Sequence, residues 1–333
     1  MIISQTPFRV SFVGGGSDLP AFYRQEGGAV LSVAIDKYVY VNVNRKFDSG
    51  TRIAYSKTEE VDSVEHIQHP IVRAAMGYLG IPGGIEITTI ADIPSKGTGL
   101  GSSSTFTVGL LHALNAFRGQ YVSKARLGAD SCRIEIELCG APIGKQDQYA
   151  AAFGGLNLIE FHPDESVSVS PLICPGDFIA SIEKQVLMFY TGITRSASDI
   201  LVRQSEGIAR APDKRKALRR MVELTYHLRD ELHRCNLDAF GEILHENWLL
   251  KKSLSEEITN DVIDGWYRTA LRAGATGGKL LGAGAGGFLM FFAPLDRHDA
   301  IKVALGELKH IPAKFDFLGS RIVHYQPTWE VTQ

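Results

Sequence analysis

The sequence predicts an α+β protein of two domains, 1–178 and 179–333. Three observations lead there. Short apolar runs of strand length, punctuated by glycine turns, fill the first half of the chain. From about residue 213 the apolar residues keep instead to a helical period of 3.6. The length, 333 residues, suits roughly two domains of about 100–200 residues each. The texture changes over 175–185, after Pro175-Gly176, and the boundary is expected there.

In chain order, Phe8 to Val13 is an apolar run that reads as a strand. Tyr38 to Asn44 is β-branched and aromatic and reads as another, and Gly84 to Ile90 is a third, ending at Asp92-Ile93-Pro94. Helices are expected over 102–117 and 123–138, then a hairpin of 156–161 with 167–172. Gln185 to Tyr190 is a further strand. Within 213–234, Leu218, Met221, Val222, Leu224, Leu228 and Leu232 keep largely to a 3.6 period, and helices follow over 239–250 and 258–271. Strands return at 287–292 and 322–325, with a helix over about 297–309 between them. The basic run Arg210 to Arg220 reads as the solvated face of its helix.

Composition excludes several classes. A hydrophobic fraction of 44% and a charged fraction of 22% exclude disordered and fibrous chains. With 35 Lys+Arg against 37 Asp+Glu, the charge balance offers nothing to nucleic acid or to an anionic membrane. Gly97 to Phe117 is rich in Gly, Ser and Thr, and Leu280 to Leu295 is shorter than the roughly 20 residues of a span, so no transmembrane helix is expected. The start, Met1-Ile2-Ile3-Ser4-Gln5, lacks a basic flank and apolar core. Cys132, Cys139, Cys174 and Cys235 form no CxxC pair and read as reduced thiols of a soluble, cytoplasmic protein. An oligomer is compatible with the sequence, and no pattern specifies one.

Glycine is the anomaly: 34 residues, clustered, where roughly 7% is usual. Gly14-Gly15-Gly16-Ser17-Asp18 leaves the first strand. A triple glycine permits unusual φ and lets a ligand approach the backbone, while Asp18 is either a carboxylate at the lip of that turn or an Asx-type cap. The second cluster, Pro94-Ser95-Lys96-Gly97-Thr98-Gly99-Leu100-Gly101-Ser102-Ser103-Ser104, runs straight into an apolar helix. Free N–H groups and the positive end of the helix dipole favour an anion there, and the serine hydroxyls can bond phosphate or take a Mg²⁺ position. A flexible linker would not lead directly into Phe106-Thr107-Val108. No G-x₄-GK-[ST] Walker loop occurs, and no HRD or DFG triplet of a protein kinase. The third cluster, Gly282-Ala283-Gly284-Ala285-Gly286-Gly287, fits G-x-G-x-x-G but leads into the apolar strand Phe288 to Phe292, not into a helix. It reads as a tight loop against which another segment packs.

Glu135 and Glu137 stand two residues apart on a helix, about 200° around it, so at most one faces a site. Asp147 follows the break Gly140 to Gly144 and opens a helix. It is either a dipole-complementing residue or a carboxylate held beside Lys145 or another cation, able to accept a hydroxyl proton. His66-x₂-His69 is followed at once by Pro70, no HExxH occurs, and no histidine metal site is expected.

Taken in order, Pro7 to Asp18, Pro94-x₃-Thr98-Gly99-Leu100-Gly101-Ser102-Ser103-Ser104 and Lys279-x₂-Gly282 to Gly287 resemble the three motifs of the GHMP kinase superfamily, across the whole chain. The Gly14 to Leu19 version, Ala34-Ile35-Asp36-Lys37-Tyr38 and Gly144-Lys145-Gln146-Asp147-Gln148-Tyr149 look most like its sugar 1-kinases acting on heptose 7-phosphate. The resemblance implies a two-domain fold with the active site in the cleft between domains, and ATP with Mg²⁺ as cofactors. It implies that the Pro94–Ser104 loop, with Lys96 and Gly97 in it, holds the ATP phosphates, and that Ser103 and Glu135 attend the Mg²⁺. Asp147 would act on the anomeric hydroxyl with Arg9 beside it, and Gly15, Gly16, Ser17 and Asp18 would meet the sugar. The implied reaction is phosphorylation of the 1-hydroxyl of D-glycero-D-manno-heptose 7-phosphate, feeding nucleotide-activated heptose for surface polysaccharide. The partner is then a small sugar phosphate. Arg195 is the first candidate for its distal phosphate, with Lys251 and Lys252 behind it. Galactokinases carry Glu-His before their Thr-Asp, where this chain has Gly15-Gly16 before Ser17-Asp18. A kinase for unphosphorylated fucose or galactose is the rival reading, and a non-catalytic ATP or sugar sensor is the third.

Overall fold

β1 (Ile2–Val13) alternates buried and half-buried residues over its first turns of pleat and is wholly buried from Thr6 onward, a pattern that requires cover on both faces there. The computed structural model, which describes residues 1–94, 97–194 and 197–326, supplies that cover. After β1 come α1 (Pro20–Glu26), β2 (Gly28–Arg45), β3 (Thr51–Ala54), β4 (Thr58–Val61), α2 (Pro70–Leu79) and β5 (Ile85–Ala91). Then follow α3 (Ser102–Phe117), α4 (Lys124–Cys132), a π-helical turn Arg133–Leu138, α5 (Gln146–Phe153), β6 (Leu156–Phe161), β7 (Val167–Pro171), α6 (Gly176–Gln185) and β8 (Val186–Tyr190). The second half holds α7 (Ala197–Arg210), α8 (Pro212–His233), α9 (Phe240–Leu254), α10 (Asp261–Arg272), β9 (Gly277–Leu280), β10 (Phe288–Phe292), α11 (His298–Ala304), β11 (Lys309–His310) and β12 (Arg321–Tyr325).

Two sheets result. The first is ordered β12-β1-β2-β5-β3-β4, with β6 joining β2 and β7 joining β6. The long β2 pairs with β6 through Gly28–Val33 and with β5 through Val39–Arg45. The second sheet is β11-β8-β10-β9. Phe12 of β1 packs edge-on against Phe240 of α9 at 5.2 Å, and Phe240 stacks on Phe292 of β10 at 4.3 Å, so one apolar core runs between the sheets.

The division at 178/179 separates the two sheets only as far as β11. Beyond it the chain returns: Asp316 N–H donates to the Ala34 carbonyl, and β12 pairs antiparallel with β1. The Asp316 carboxylate secures this return by accepting from Leu318 N, Gly319 N, the Tyr38 hydroxyl and Arg321. Arg215 and Arg219 of the basic run reach Glu26 and tie α8 to α1. Every cysteine is free, and among the described residues no helix is long and apolar enough to cross a membrane.

Candidate active site

Gly97 to Gly101 form a loop that ends in the N-terminus of α3, with Gly101 as its cap at φ +78°. The third glycine cluster closes on this loop. A Cβ on Gly282 would lie 2.3 Å from the Gly99 Cα, and one on Gly99 would lie 2.3 Å from the Leu281 carbonyl oxygen. Side chains at either position would push the loop and the C-terminal turn apart. The packing role expected for residues 282–287 is what the geometry gives, and the packed partner is the Gly97–Gly101 loop.

Arg9 reaches the same place from β1. Its Nε and Nη2 grip the two Asp147 carboxylate oxygens at 2.7 and 2.8 Å, and its Nη1 donates to the Gly99 carbonyl at 2.8 Å. This fork is the strong bidentate form of an ion pair. The cation beside Asp147 is thus Arg9; Lys145 pairs with Glu165. Asp147 lies in the first turn of α5 and closes on Gly101, where an added Cβ would stand 2.9 Å from Oδ2. Asp18 is buried with its carboxylate accepting from Gly16 N at 3.0 Å and Gln146 N at 3.3 Å. Burial, and then the negative charge of Asp147, push its carboxyl above the usual range.

Of the two glutamates, Glu135 is buried and Glu137 is exposed beside Arg133. The helix expected over 123–138 runs through that span, α-helical to Cys132 and then widening into the π-helical turn that carries Glu135, a distortion that recurs at functional sites. The Ser103 hydroxyl donates to Glu135 Oε1 at 2.6 Å and Gln148 Nε2 to Oε2 at 2.7 Å. Burial raises the Glu135 pKa, and the hydrogen bonds from Ser103, Ser104 and Gln148 oppose it. A hydroxyl and one carboxylate are hard oxygen donors, and Mg²⁺ commonly takes one or two such ligands while substrate phosphates and waters fill the rest. Ser103 and Glu135 fit that ion. Among the described residues no cluster of three His, Cys, Asp or Glu could hold a metal by itself.

These groups line one cavity of about 290 Å³: Arg9, Asp18, Asp147, Glu135, the loop and Lys251 from α9. Gly15, Gly16, Gly97, Thr98, Gly99, Gly101, Ser102, Ser103 and Ser104 are in its wall as expected from sequence. Ser17 and Leu100 are not. The Ser17 hydroxyl is fully buried and bonds the carbonyls of Gly14 and Ala29, so it locks the turn. Leu100 points into the apolar core. Pro94 borders a second cleft of about 940 Å³, which meets the first at Ser102 and Ser103. Lys252 pairs with Asp264 and lies outside both. Lys96 and Arg195 lie outside the described residues.

Sequence reasoning missed the aromatic wall of the larger cleft, Tyr55, His69 and Phe106, whose rings meet at 4.8 and 5.2 Å. It also missed Gln146 and Gln204, two residues of the smaller cavity's lining whose Oε1 and Nε2, respectively, are buried without hydrogen-bond partners. Lys251 is buried too; its ammonium donates to the Gly282 carbonyl, and burial, then Arg9, lower its pKa to about 8 against the pull of Asp18 and Asp147.

A model of the GHMP kinases N terminal domain matches residues 66–155, and one of the GHMP kinases C terminal matches residues 228–310. A D-glycero-alpha-D-manno-heptose 7-phosphate kinase from Campylobacter jejuni is 30% identical over 326 residues, which is 93% of this chain and 95% of that protein. The solved structure of a putative sugar kinase from Campylobacter jejuni aligns with a TM-score of 0.77 at 27% identity, covering 96% of this chain and 97% of the other. The fold is also that of a D-glycero-D-manno-heptose 1-phosphate kinase from Bacteroides thetaiotaomicron, with a TM-score of 0.79 at 24% identity over 100% of both chains. With both of its halves matched in order, and a relative of this identity along nearly its full length, the chain belongs to the GHMP kinase family and is a phosphotransferase.

Proposed function

We propose that the protein transfers the terminal phosphoryl group of ATP to the anomeric 1-hydroxyl of D-glycero-D-manno-heptose 7-phosphate, giving the 1,7-bisphosphate. The observation that carries the reading is the Asp147 carboxylate, held by the Arg9 fork in the cavity beside the glycine loop. Similarity to the Campylobacter jejuni heptose 7-phosphate kinase supports the choice of sugar.

Phosphoryl transfer asks little covalent work of a protein and much positioning and charge neutralisation. The free N–H groups at the start of α3 and the hydroxyls of Thr98 and Ser102 suit the phosphate chain. The aromatic cleft beside Ser102 and Ser103 suits the base. Mg²⁺, held by Ser103 and Glu135, would neutralise phosphate charge. Asp147 takes the proton of the hydroxyl as its oxygen attacks, using lone pairs that Arg9 leaves free. At the sugar end, Asp18 and the orphaned amide atoms Gln146 Oε1 and Gln204 Nε2 ask for both donors and acceptors, as a polyhydroxylated ligand provides.

Purified protein given Mg-ATP and a panel of sugars and sugar phosphates tests the reading. Turnover of the heptose 7-phosphate is expected, with Gln204→Leu raising its KM by about 3–10-fold for one lost hydrogen bond. Turnover of free galactose or fucose with none of the heptose phosphate overturns the substrate and keeps the kinase. Ligand binding without ATP turnover on any sugar overturns both in favour of a sensor.

A further inference from the structure

Two cations stand at the contact between the glycine loop and the C-terminal turn. Arg9 Nη1 donates to the Gly99 carbonyl, and the Lys251 ammonium donates to the Gly282 carbonyl. Gly99 and Gly282 touch through their backbones, so the two cations rest on carbonyls at either side of one contact. They differ in what remains to them. Arg9 uses its other nitrogens on Asp147. Lys251 is 4% exposed, lines the cavity and forms no ion pair among the described residues, which leaves two of its three N–H bonds uncommitted. A buried ammonium without a counter-ion is costly, and an apolar side chain of the same length would hold α9 in place more cheaply. Its lowered pKa expresses that cost. Asp18 and Asp147 offset it in part, and an anion at the loop would offset the rest.

We propose that Lys251 is a catalytic cation of this kinase, its ammonium touching the terminal phosphoryl group of ATP as the group passes to the acceptor oxygen. The inference rests on the phosphoryl-transfer reading of the site and not on which sugar accepts. In the step, the bond from the terminal phosphorus to the bridging oxygen breaks and its electron pair leaves on ADP. A new phosphorus–oxygen bond forms to the sugar oxygen, whose proton passes to Asp147. Lys251 keeps its protons and supplies charge alone. Its position at the Gly99–Gly282 contact sets it at the loop end of the cavity, whereas a distal substrate phosphate lies a sugar length beyond the acceptor hydroxyl.

The test titrates the full-length protein with Mg-ADP and with Mg-AMP-PNP, no sugar present, comparing Lys251→Met and Lys251→Arg with the wild type by calorimetry. Lys251→Met is expected to lose about tenfold or more in AMP-PNP affinity and less than about twofold for ADP, the loss of one charge-assisted contact to the terminal group. Lys251→Arg stays within about threefold of wild type for both, and its melting temperature separates charge from packing. With any accepted sugar, kcat of Lys251→Met falls by about 100-fold while sugar KM changes little. Unchanged AMP-PNP affinity in Lys251→Met overturns the proposal. So does a defect confined to sugar KM, which assigns Lys251 to the substrate instead. The nucleotide arm needs no acceptor, so its result is independent of whether the heptose phosphate is the substrate.

Discussion

Replacing Gly99 with alanine perturbs the contact on which the cavity is built, and the structure gives the size of the effect. Gly99 has φ +75°, where an L-residue costs about 1–2 kcal/mol. The new Cβ would stand 2.3 Å from the Leu281 carbonyl oxygen, where ordinary contact begins near 3.4 Å. Backbone must therefore move by about 1 Å, an overpacking cost of about 1–3 kcal/mol. Together these give about 2–5 kcal/mol, or a fall of about 3–8 °C in Tm for a chain of this length. Gly119 is the control, with φ +68° and no atom within 4 Å of an added Cβ. Gly119→Ala meets the backbone cost alone and falls by about 1.5–3 °C. Scanning calorimetry reads both, and kcat reads the loop: a shift of about 1 Å in a positioning element costs about 100-fold, so Gly99→Ala loses turnover and Gly119→Ala does not. Equal melting of the two variants, or full kcat in Gly99→Ala, would refute the reasoning that the C-terminal turn fixes the loop.

Asp147→Asn keeps one acceptor for Arg9 and the shape of the side chain, so it is expected to fold, bind nucleotide and lose about 100- to 10,000-fold in kcat as the proton acceptor disappears. Retention of kcat within about tenfold would exclude Asp147 as the base. Glu135→Gln preserves the contacts to Ser103 and Gln148 while removing the charge, and the Mg²⁺ concentration for half-maximal rate is expected to rise by about 10–100-fold. A Mg²⁺ titration that superimposes on the wild type would refute the metal assignment. The ammonium form of Lys251 is present below its pKa of about 8 and lost above it, so kcat/KM falls as pH rises through that region. The charged groups facing it are Arg9, Asp18, Asp147 and Lys279. Lys251→Arg moves that limb to higher pH, and a profile identical in the two proteins would show that another group titrates.

What the sequence made legible is what local chemistry determines. A glycine run entering an apolar segment marks a loop at a helix start by itself, and the helix over Ser102–Phe117 appears with the bounds expected. The spacing of Glu135 and Glu137 limited the site to one of them, the family resemblance named Glu135, and the fold buries that residue against the amide of Gln148 on the next helix. The functional geometry beyond the loop depends on pairs far apart in the chain. Arg9 and Asp147 are 138 positions apart, and Lys251 meets Gly282 across 31. No periodicity records such pairs, because each residue type is ordinary in its own segment: Asp147 opens a helix, and Lys251 reads like any lysine near a helix C-terminus. Gln204 was hidden because α7 itself was not foreseen, whereas the strand over 322–325 was expected and only its pairing with β1, more than 300 positions away, was not. Ser17 misled for the opposite reason, since a hydroxyl beside a glycine turn looks the same whether it meets a ligand or the turn's own carbonyls. The third glycine cluster shows where the limit falls. Its sequence implies that something packs closely there, yet only the fold shows that the partner is the glycine loop ahead of α3. That contact ties the C-terminal half to the chemistry of the first half, and it is why Gly99, Gly282 and Lys251 are expected to fail together in activity although they lie on three separate stretches of the chain.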